Sequence, residues 1–316
     1  MRNREMKRLT AALEKMTPGQ RKILATELMA LECRPASVTV VEGRMGRVPT
    51  CPHCAAERVV KNGTARGLQR FMCRECGKTF CALTGTPLAH LHMRGKWLDQ
   101  AAALRDGLTL CEVAENLNIA VSTAFRWRHR FLELPKTVQA QALIGIAEAD
   151  ETYFLRSNKG QRKDLGRPAR KRGGKASKRG LSDEQVPVLV ARDRSGSTAD
   201  FILAIVDKAH VSAVMKPLLA QDAILCTDSS KVLTAAAKDM GVMHHSVNLS
   251  AGVRVDGPWH VQNVNAYHSR LKNWLRRFKG VATRYMDSYL GWFRAIDRSP
   301  ATGLKPAQWL TMVVGI

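Results

Sequence analysis

Two short cysteine pairs, Cys51-Pro52-His53-Cys54 and Cys73-Arg74-Glu75-Cys76, are separated by eighteen residues. Each pair bends the chain so that two sulfurs point at one ion. Two such turns complete a tetrahedral thiolate site of the kind that holds structural zinc. Val59, Val60, Phe71 and Phe80 supply strand-like runs around the turns, so residues 45–90 read as a zinc ribbon. His53 is available to replace a thiolate, though Cys51, Cys54, Cys73 and Cys76 suffice. The alternative, a pair of redox motifs, lacks a surrounding strand–helix–strand pattern. The other cysteines, Cys33, Cys81, Cys111 and Cys226, stand alone and read as small core or surface residues. Eight cysteines used this way suggest metal ligation in a reducing compartment rather than disulfides.

Charge narrows the partner. The chain carries 50 Lys and Arg against 27 Asp and Glu, a formal net charge of +23. That excess calls for a polyanion, and double-stranded DNA is the first candidate. A membrane surface would want an amphipathic basic helix or a lipidation signal, and neither is present. The longest apolar runs are too short to span a bilayer, so no membrane partner is expected. The first residues, MRNREMKR, lack an apolar signal core, which favours a cytoplasmic protein. A length of 316 residues allows two or more domains.

The flanking segments are less informative. Residues 1–34 read as short helices, with a capping box at Thr17-Pro18-Gly19-Gln20. This segment is either a multimerisation or DNA-contacting piece or a packing appendage. Residues 34–50 carry Pro35, Gly43, Gly46 and Pro49 and read as a linker. Residues 301–316 read as a helical tail.

Residues 94–135 follow a helix-turn-helix pattern. Its first helix starts near Thr109, Asn118 and Ile119 sit at the turn, and its second helix starts near Ser122. The second helix sets Ser122, Thr123, Arg126, Arg128 and Arg130 between expected core positions Ala124, Phe125 and Phe131. A basic second helix suits a major groove.

From residue 142 to about 300 the pattern changes to an α/β domain. A strand through Ile144, Ile146, Glu148 and Asp150 is followed by a basic insert, residues 156–180. Arg162, Lys163, Arg170, Lys171 and Arg172 in that insert are candidate DNA-phosphate contacts. VPVLVARD and ADFILAIVD read as a hairpin around Ser195-Gly196. A helix, the buried strand AILCTD, a helix ending at Gly241 and a fifth strand follow. Three meandering strands and then alternating helices and strands give a mixed five-stranded sheet with flanking helices, the ribonuclease H-like order. A later helix carries Asn265, His268 and Lys272 on one face. Tyr285, Tyr289, Trp292 and Phe293 form an aromatic stripe that reads as core.

The run CPHC…CREC, the helical unit, ADETYF, CTDSS, NVNAYHSRLKNWL and GVATRYMDSYLGWFR together resemble one family. They are similar to the zinc-ribbon insertion-sequence transposases of the ISXO-like group, within the DDE transposase and retroviral integrase superfamily. The resemblance covers roughly residues 45–310. It implies catalytic Asp150 and Asp228, Asn265 at the third position, and Lys272 seven residues on. Asn265 departs from the glutamate of the wider superfamily; its amide oxygen is neutral and binds a divalent ion less strongly. His260 and His268 are available to bind substrate phosphate or metal, and Asp256 is the substitute acid.

Asp150, Asp228 and Asn265 would hold two magnesium or manganese ions about 3.5–4 Å apart, one for the nucleophile and one for the leaving oxygen. Lys272 would set a point charge on DNA near the scissile phosphate. The implied activity is metal-dependent hydrolysis at the element ends, after binding of terminal inverted repeats, then joining of 3′-hydroxyl ends to target DNA. Coordinated cutting of two ends implies a homodimer or higher oligomer on DNA, in a bacterial host. Glu148 and Glu151 compete for the first ligand position; Glu148 shares the strand face of Asp150 and Glu151 points the other way. The opposing reading is a DNA-binding regulator whose ribonuclease H-like domain is inactive.

Overall fold

The computed structural model describes residues 11–32, 35–46, 49–161, 174–178, 182–248, 251–299 and 303–315. The chain divides into two compact units, Met1–Ala102 with Lys305–Ile316, and Ala103–Leu304.

In the first unit, helices α1 (Pro18–Glu32) and α2 (Ala36–Gly43) precede a three-stranded antiparallel sheet. The Thr17–Gln20 box forms as the sequence suggests: the Gln20 side chain accepts from the Thr17 amide at 3.0 Å. The strands are β1 (Val59–Ala65), β2 (Leu68–Cys73) and β3 (Thr79–Cys81), in that order. Ala65 pairs with Leu68 across a two-residue turn in which Arg66 and Gly67 both have positive φ, 51° and 77°. That left-handed pair matches the twist of a tight hairpin. Cys51, Cys73 and Phe80 form its small core, with Met45, Val59 and Phe71 against them.

Helix α3 spans Trp97–Arg105. In the second unit, α4 (Leu110–Asn116) and α5 (Val121–Leu132) pack together. The Glu112 carboxylate accepts from the Thr109 amide at 2.6 Å, which starts α4, and Asn118 at φ 46° turns the chain into α5.

The main sheet comprises β4 (Ile146–Leu155), β5 (Gln185–Asp193), β6 (Thr198–Ile202), β7 (Ile224–Asp228) and β8 (Met243–Val247). Their spatial order is β6-β5-β4-β7-β8. The first three pair antiparallel, and β4, β7 and β8 pair parallel, which is the ribonuclease H-like arrangement. Helices α6 (Lys208–Met215) and α7 (Lys231–Met240) connect the parallel strands. The sequence places the α6 helix as far as Ala220; it ends at Met215, before Pro217, whose ring cannot continue a helix.

Strand alternation sorts the sheet into two faces. Ala147, Ala149, Leu189, Ala191, Ala199 and Leu225 lie on one, under Val211 and Met215 of α6 and Leu233, Ala236 and Ala237 of α7. Glu148, Asp150, Cys226 and Asp228 lie on the other. That second face is covered by helix α8 (Gln262–Arg276), whose Val264, Tyr267, His268, Leu271, Trp274 and Leu275 form a buried stripe. Helix α9 (Met286–Asp297) adds Tyr289, Trp292 and Phe293 to the aromatic core, as read from the sequence, packed around Trp274 and Phe278. The terminal helix α10 (Pro306–Val314) packs on α2 within the first unit.

Candidate active site

Asp150 and Asp228 come from neighbouring parallel strands. Ala149 pairs with Thr227, and the two aspartates are the next residue along each strand, on the same face. Both sit where a strand carboxylate can turn back on its own backbone. The Asp150 carboxylate accepts from the Glu151 amide at 2.9 Å, and that of Asp228 from the Ser230 amide at 3.0 Å. Burial, then the charge of Asp228, raise the Asp150 carboxyl to about 6 against the pull of the Glu151 amide and Lys272. Two carboxylates side by side on one face of neighbouring strands are the oxygen donor set a hard divalent cation takes. The residues present therefore fit magnesium or manganese.

Helix α8 supplies the third side. His268 is the helix residue that meets the pair, its Nδ1 3.8 Å from Asp150 Oδ2. Burial and the Lys272 charge lower its pKa to about 4, so the imidazole is neutral near pH 7. Its Nε2 is buried without a hydrogen-bond partner. Lys272, one turn on, is exposed at its end of the helix and its charge reaches both Asp150 and His268. Asn265 shares this side of α8 by spacing but is exposed, beside Arg254, Gln262 and Ser269 in a shallow pocket. Its side chain makes no hydrogen bond to Asp150 or Asp228. The structure thus brings Asp150, Asp228 and Lys272 together, with His268 in closer contact than Asn265.

The competing acids are accounted for. Glu151 pairs with Leu189 and so faces the α6–α7 side; burial, then the charges of Asp150 and Asp228, raise it to about 7. Glu148 is fully buried and accepts from Asn263 and from the Val264 amide. Asp256 pairs with His245 at 3.1 Å. Arg194, which the sequence did not single out, forms an ion pair with Glu148 at 3.2 Å from a turn that carries no motif.

Two further sites lie apart from this one in sequence. The sulfurs of Cys51, Cys54, Cys73 and Cys76 lie within 4.8 Å of one another, with Cys51–Cys76 at 3.7 Å and Cys54–Cys73 at 3.6 Å. A tetrahedral zinc with bonds of about 2.3 Å separates its sulfurs by about 3.8 Å, so the donor set fits. Each knuckle ends in a left-handed residue, Ala55 and Gly77, whose amide donates back to the first cysteine carbonyl at 2.8 and 3.0 Å.

On α5, Ser122 and Arg126 are exposed and Thr123 and Arg130 are half-buried. Arg128 corrects the sequence reading. It is 1% exposed, donates to the Leu108 carbonyl at 2.6 Å and lies over the Trp292 ring at 5.0 Å. Position 128 is one turn after buried Ala124 and therefore faces inward. Phe125, expected in the core, is 39% exposed and meets His129 edge-on. Arg162, Lys163, Arg170, Lys171 and Arg172 lie outside the described residues. Lys159, at the start of the insert, is held by the carbonyls of Phe278, Lys279 and Gly280 beyond the end of α8.

Fold and site together define a ribonuclease H-like domain with an aspartate pair, preceded by a helix-turn-helix. Residues 142–294 match the ISXO2-like transposase domain, and residues 94–134 a homeodomain-like domain. The chain is 28% identical over 260 residues to an uncharacterized protein in transposable element ISH50 of Halobacterium salinarum, covering 79% of this chain and 86% of that protein. Among solved structures, a chain of a simian T-cell lymphotropic virus intasome complex is 11% identical, over 64% of this chain and 75% of its own, with a TM-score of 0.28. A pre-cleavage Mos1 transpososome is 14% identical, over 68% and 77%, with a TM-score of 0.21. Among the described residues no helix is long and apolar enough to cross a membrane.

Proposed function

We propose that the chain cleaves the ends of its own insertion element and joins the freed 3′-hydroxyls to target DNA, with Asp150 and Asp228 as the catalytic pair. The observation that carries this is their position side by side on one sheet face, Asp150 midway along β4 and Asp228 at the end of the parallel strand β7. A bound pair of divalent cations would supply Lewis-acid stabilisation of the attacking and leaving oxygens. Asp150 and Asp228 would hold that charge at one phosphate, with the Asn265 amide oxygen available on the helix as a neutral third donor. Lys272 draws the DNA phosphate to the same side. The His268 imidazole, beside Asp150, limits water at the back of the pair.

The supporting parts have separate roles in this reading. Ser122, Thr123, Arg126 and Arg130 read the terminal inverted repeats, and the basic insert binds phosphates along the backbone. Cys51, Cys54, Cys73 and Cys76 hold one structural zinc. Two ends are cut together, so the active species is a dimer or larger assembly on DNA.

The test is a nicking and joining assay on duplexes carrying the element's terminal repeats, with magnesium. Asp150→Ala and Asp228→Ala each lower cleavage by at least a hundredfold while end binding persists. Wild-type cleavage by either variant removes that residue from the site. The regulator reading is favoured by one observation, the absence of a contact from Asn265 to either aspartate. It prevails if the unaltered chain binds the repeats but cuts none of them.

A further inference from the structure

Helix α8 lacks a cap of its own. Its N-cap residue is Val261, which makes no side-chain cap hydrogen bond. A helix start leaves amides unsatisfied and carries partial positive charge, so some acceptor must meet it when it is buried. Here the acceptor comes from the sheet. Glu148, two residues before Asp150 on the same face of β4, is fully buried. Its Oε2 accepts from the Val264 amide at 3.0 Å. Its Oε1 accepts from Asn263 Nδ2 at 2.9 Å and faces Arg194 Nη2 at 3.2 Å and His260 Nδ1 at 3.4 Å. Arg194 also donates to the Pro258 carbonyl at 3.0 Å, and its own amide donates to the Ile146 carbonyl at 3.2 Å. One carboxylate thus ties β4, the β5–β6 turn and the start of α8 at a single point.

We infer that Glu148 is a positioning residue that sets the register of α8 against Asp150. This rests on the functional reading above and deepens it. An apolar side chain in its place would hold the helix near the sheet equally well, since a buried charge is seldom a gain in stability alone. It would not fix rotation or axial position. A slide of one residue moves a helix about 1.5 Å and turns it about 100°. Either change takes His268 off Asp150 and swings Asn265 and Lys272 away from the pair. A bond to the amide of the third helical residue blocks both. The same contacts explain why Glu148 is not a metal ligand: its oxygens accept from Asn263 and the Val264 amide and face Arg194, which leaves little lone-pair capacity for an ion.

The test uses the full chain, with Glu148→Gln, Glu148→Asp and Asn263→Ala beside an Asp150→Ala control. Glu148→Gln keeps the shape but sets an NH₂ among donors; Glu148→Asp keeps the charge and draws it back by one methylene. Both retain wild-type affinity for end DNA and the wild-type thermal transition within a few degrees. Both cleave at least tenfold more slowly at saturating DNA and magnesium. Both show faster amide exchange confined to the first turn of α8, residues 262–265. Asn263→Ala changes both readouts in the same direction by a smaller amount. Cleavage within twofold of wild type for Glu148→Gln and Glu148→Asp, or unchanged exchange in that turn, overturns the inference. If the Glu148 variants fail to fold, Asn263→Ala decides: an unaltered rate and exchange pattern overturns it. Should Asp150→Ala still cleave, the functional reading fails, and the exchange data judge the clamp separately.

Discussion

Two arginines on one helix, two residues apart, have opposite fates. Arg126 faces solvent, and Arg128 is enclosed by Leu108, Tyr289, Phe278 and Trp292. Charge alone makes both look like groove contacts. Spacing separates them, because Arg128 falls one turn after Ala124 on the buried side. Arg128→Ala is expected to cost roughly 2 kcal/mol in urea unfolding, since it strips aromatic packing and leaves the Leu108 carbonyl unmet. Arg126→Ala leaves stability unchanged and weakens binding to terminal repeats by about 1–3 kcal/mol, more than to random DNA. An unchanged unfolding midpoint for the first variant contradicts its burial. Equal losses on both DNAs for the second mark a phosphate contact only. What the sequence shows at residue level is local: the two cysteine pairs converge by their own spacing, and alternation sets Asp150 and Asp228 on one face. It does not reach a remote partner: Tyr289 lies 161 residues from Arg128, and the Glu148 clamp closes across 116 residues to Val264.

Among the elements, α9 depends on a glycine for a reason its sequence does not advertise. A Cβ on Gly291 would lie 2.4 Å from Lys136 Cα and 2.8 Å from the Pro135 carbonyl oxygen. Alanine ordinarily improves a helix interior by about 1 kcal/mol over glycine. Here two backbones meet, and no side chain can swing aside. The overlap decides the sign, so Gly291→Ala is expected to destabilise by about 1–3 kcal/mol, read as a lower urea midpoint. A raised midpoint would mean the two segments part freely. Strand and helix types were readable from period two and period 3.6. The contact between α9 and residues 135–136 was not, because close approach leaves no periodic mark. Nor was the pairing of α10 with α2, which joins the two ends of the chain through Trp309, Leu310, Val313 and Val314.

At the scale of the whole chain, each unit has its own source of order. The sheet domain has a broad apolar core, whereas the cluster beside the four sulfurs rests on Cys51, Cys73 and Phe80. A core that small does not offset chain entropy without a staple. Stripping the protein with a strong zinc chelator is therefore expected to release about one zinc per chain and abolish amide protection across residues 51–81. Protection in β4, β5 and β7 persists. Cys73→Ser reproduces the effect without chelator. A ribbon that stays protected after metal loss would show that its sheet stands unaided. Net charge of +23 remains the feature that makes a polyanion the natural partner, at any scale.

Leu155 and Gln185 face each other at the open ends of β4 and β5, so the excursion between them leaves and returns at one doorway. Ring closure there is already paid for by the ladder, and doubling the length of the excursion costs only about 0.6 kcal/mol. The strand that carries Asp150 therefore keeps its place whatever length the doorway carries. Lengthening or shortening that passage is expected to leave the pairing of β4 with β5 and β7 intact.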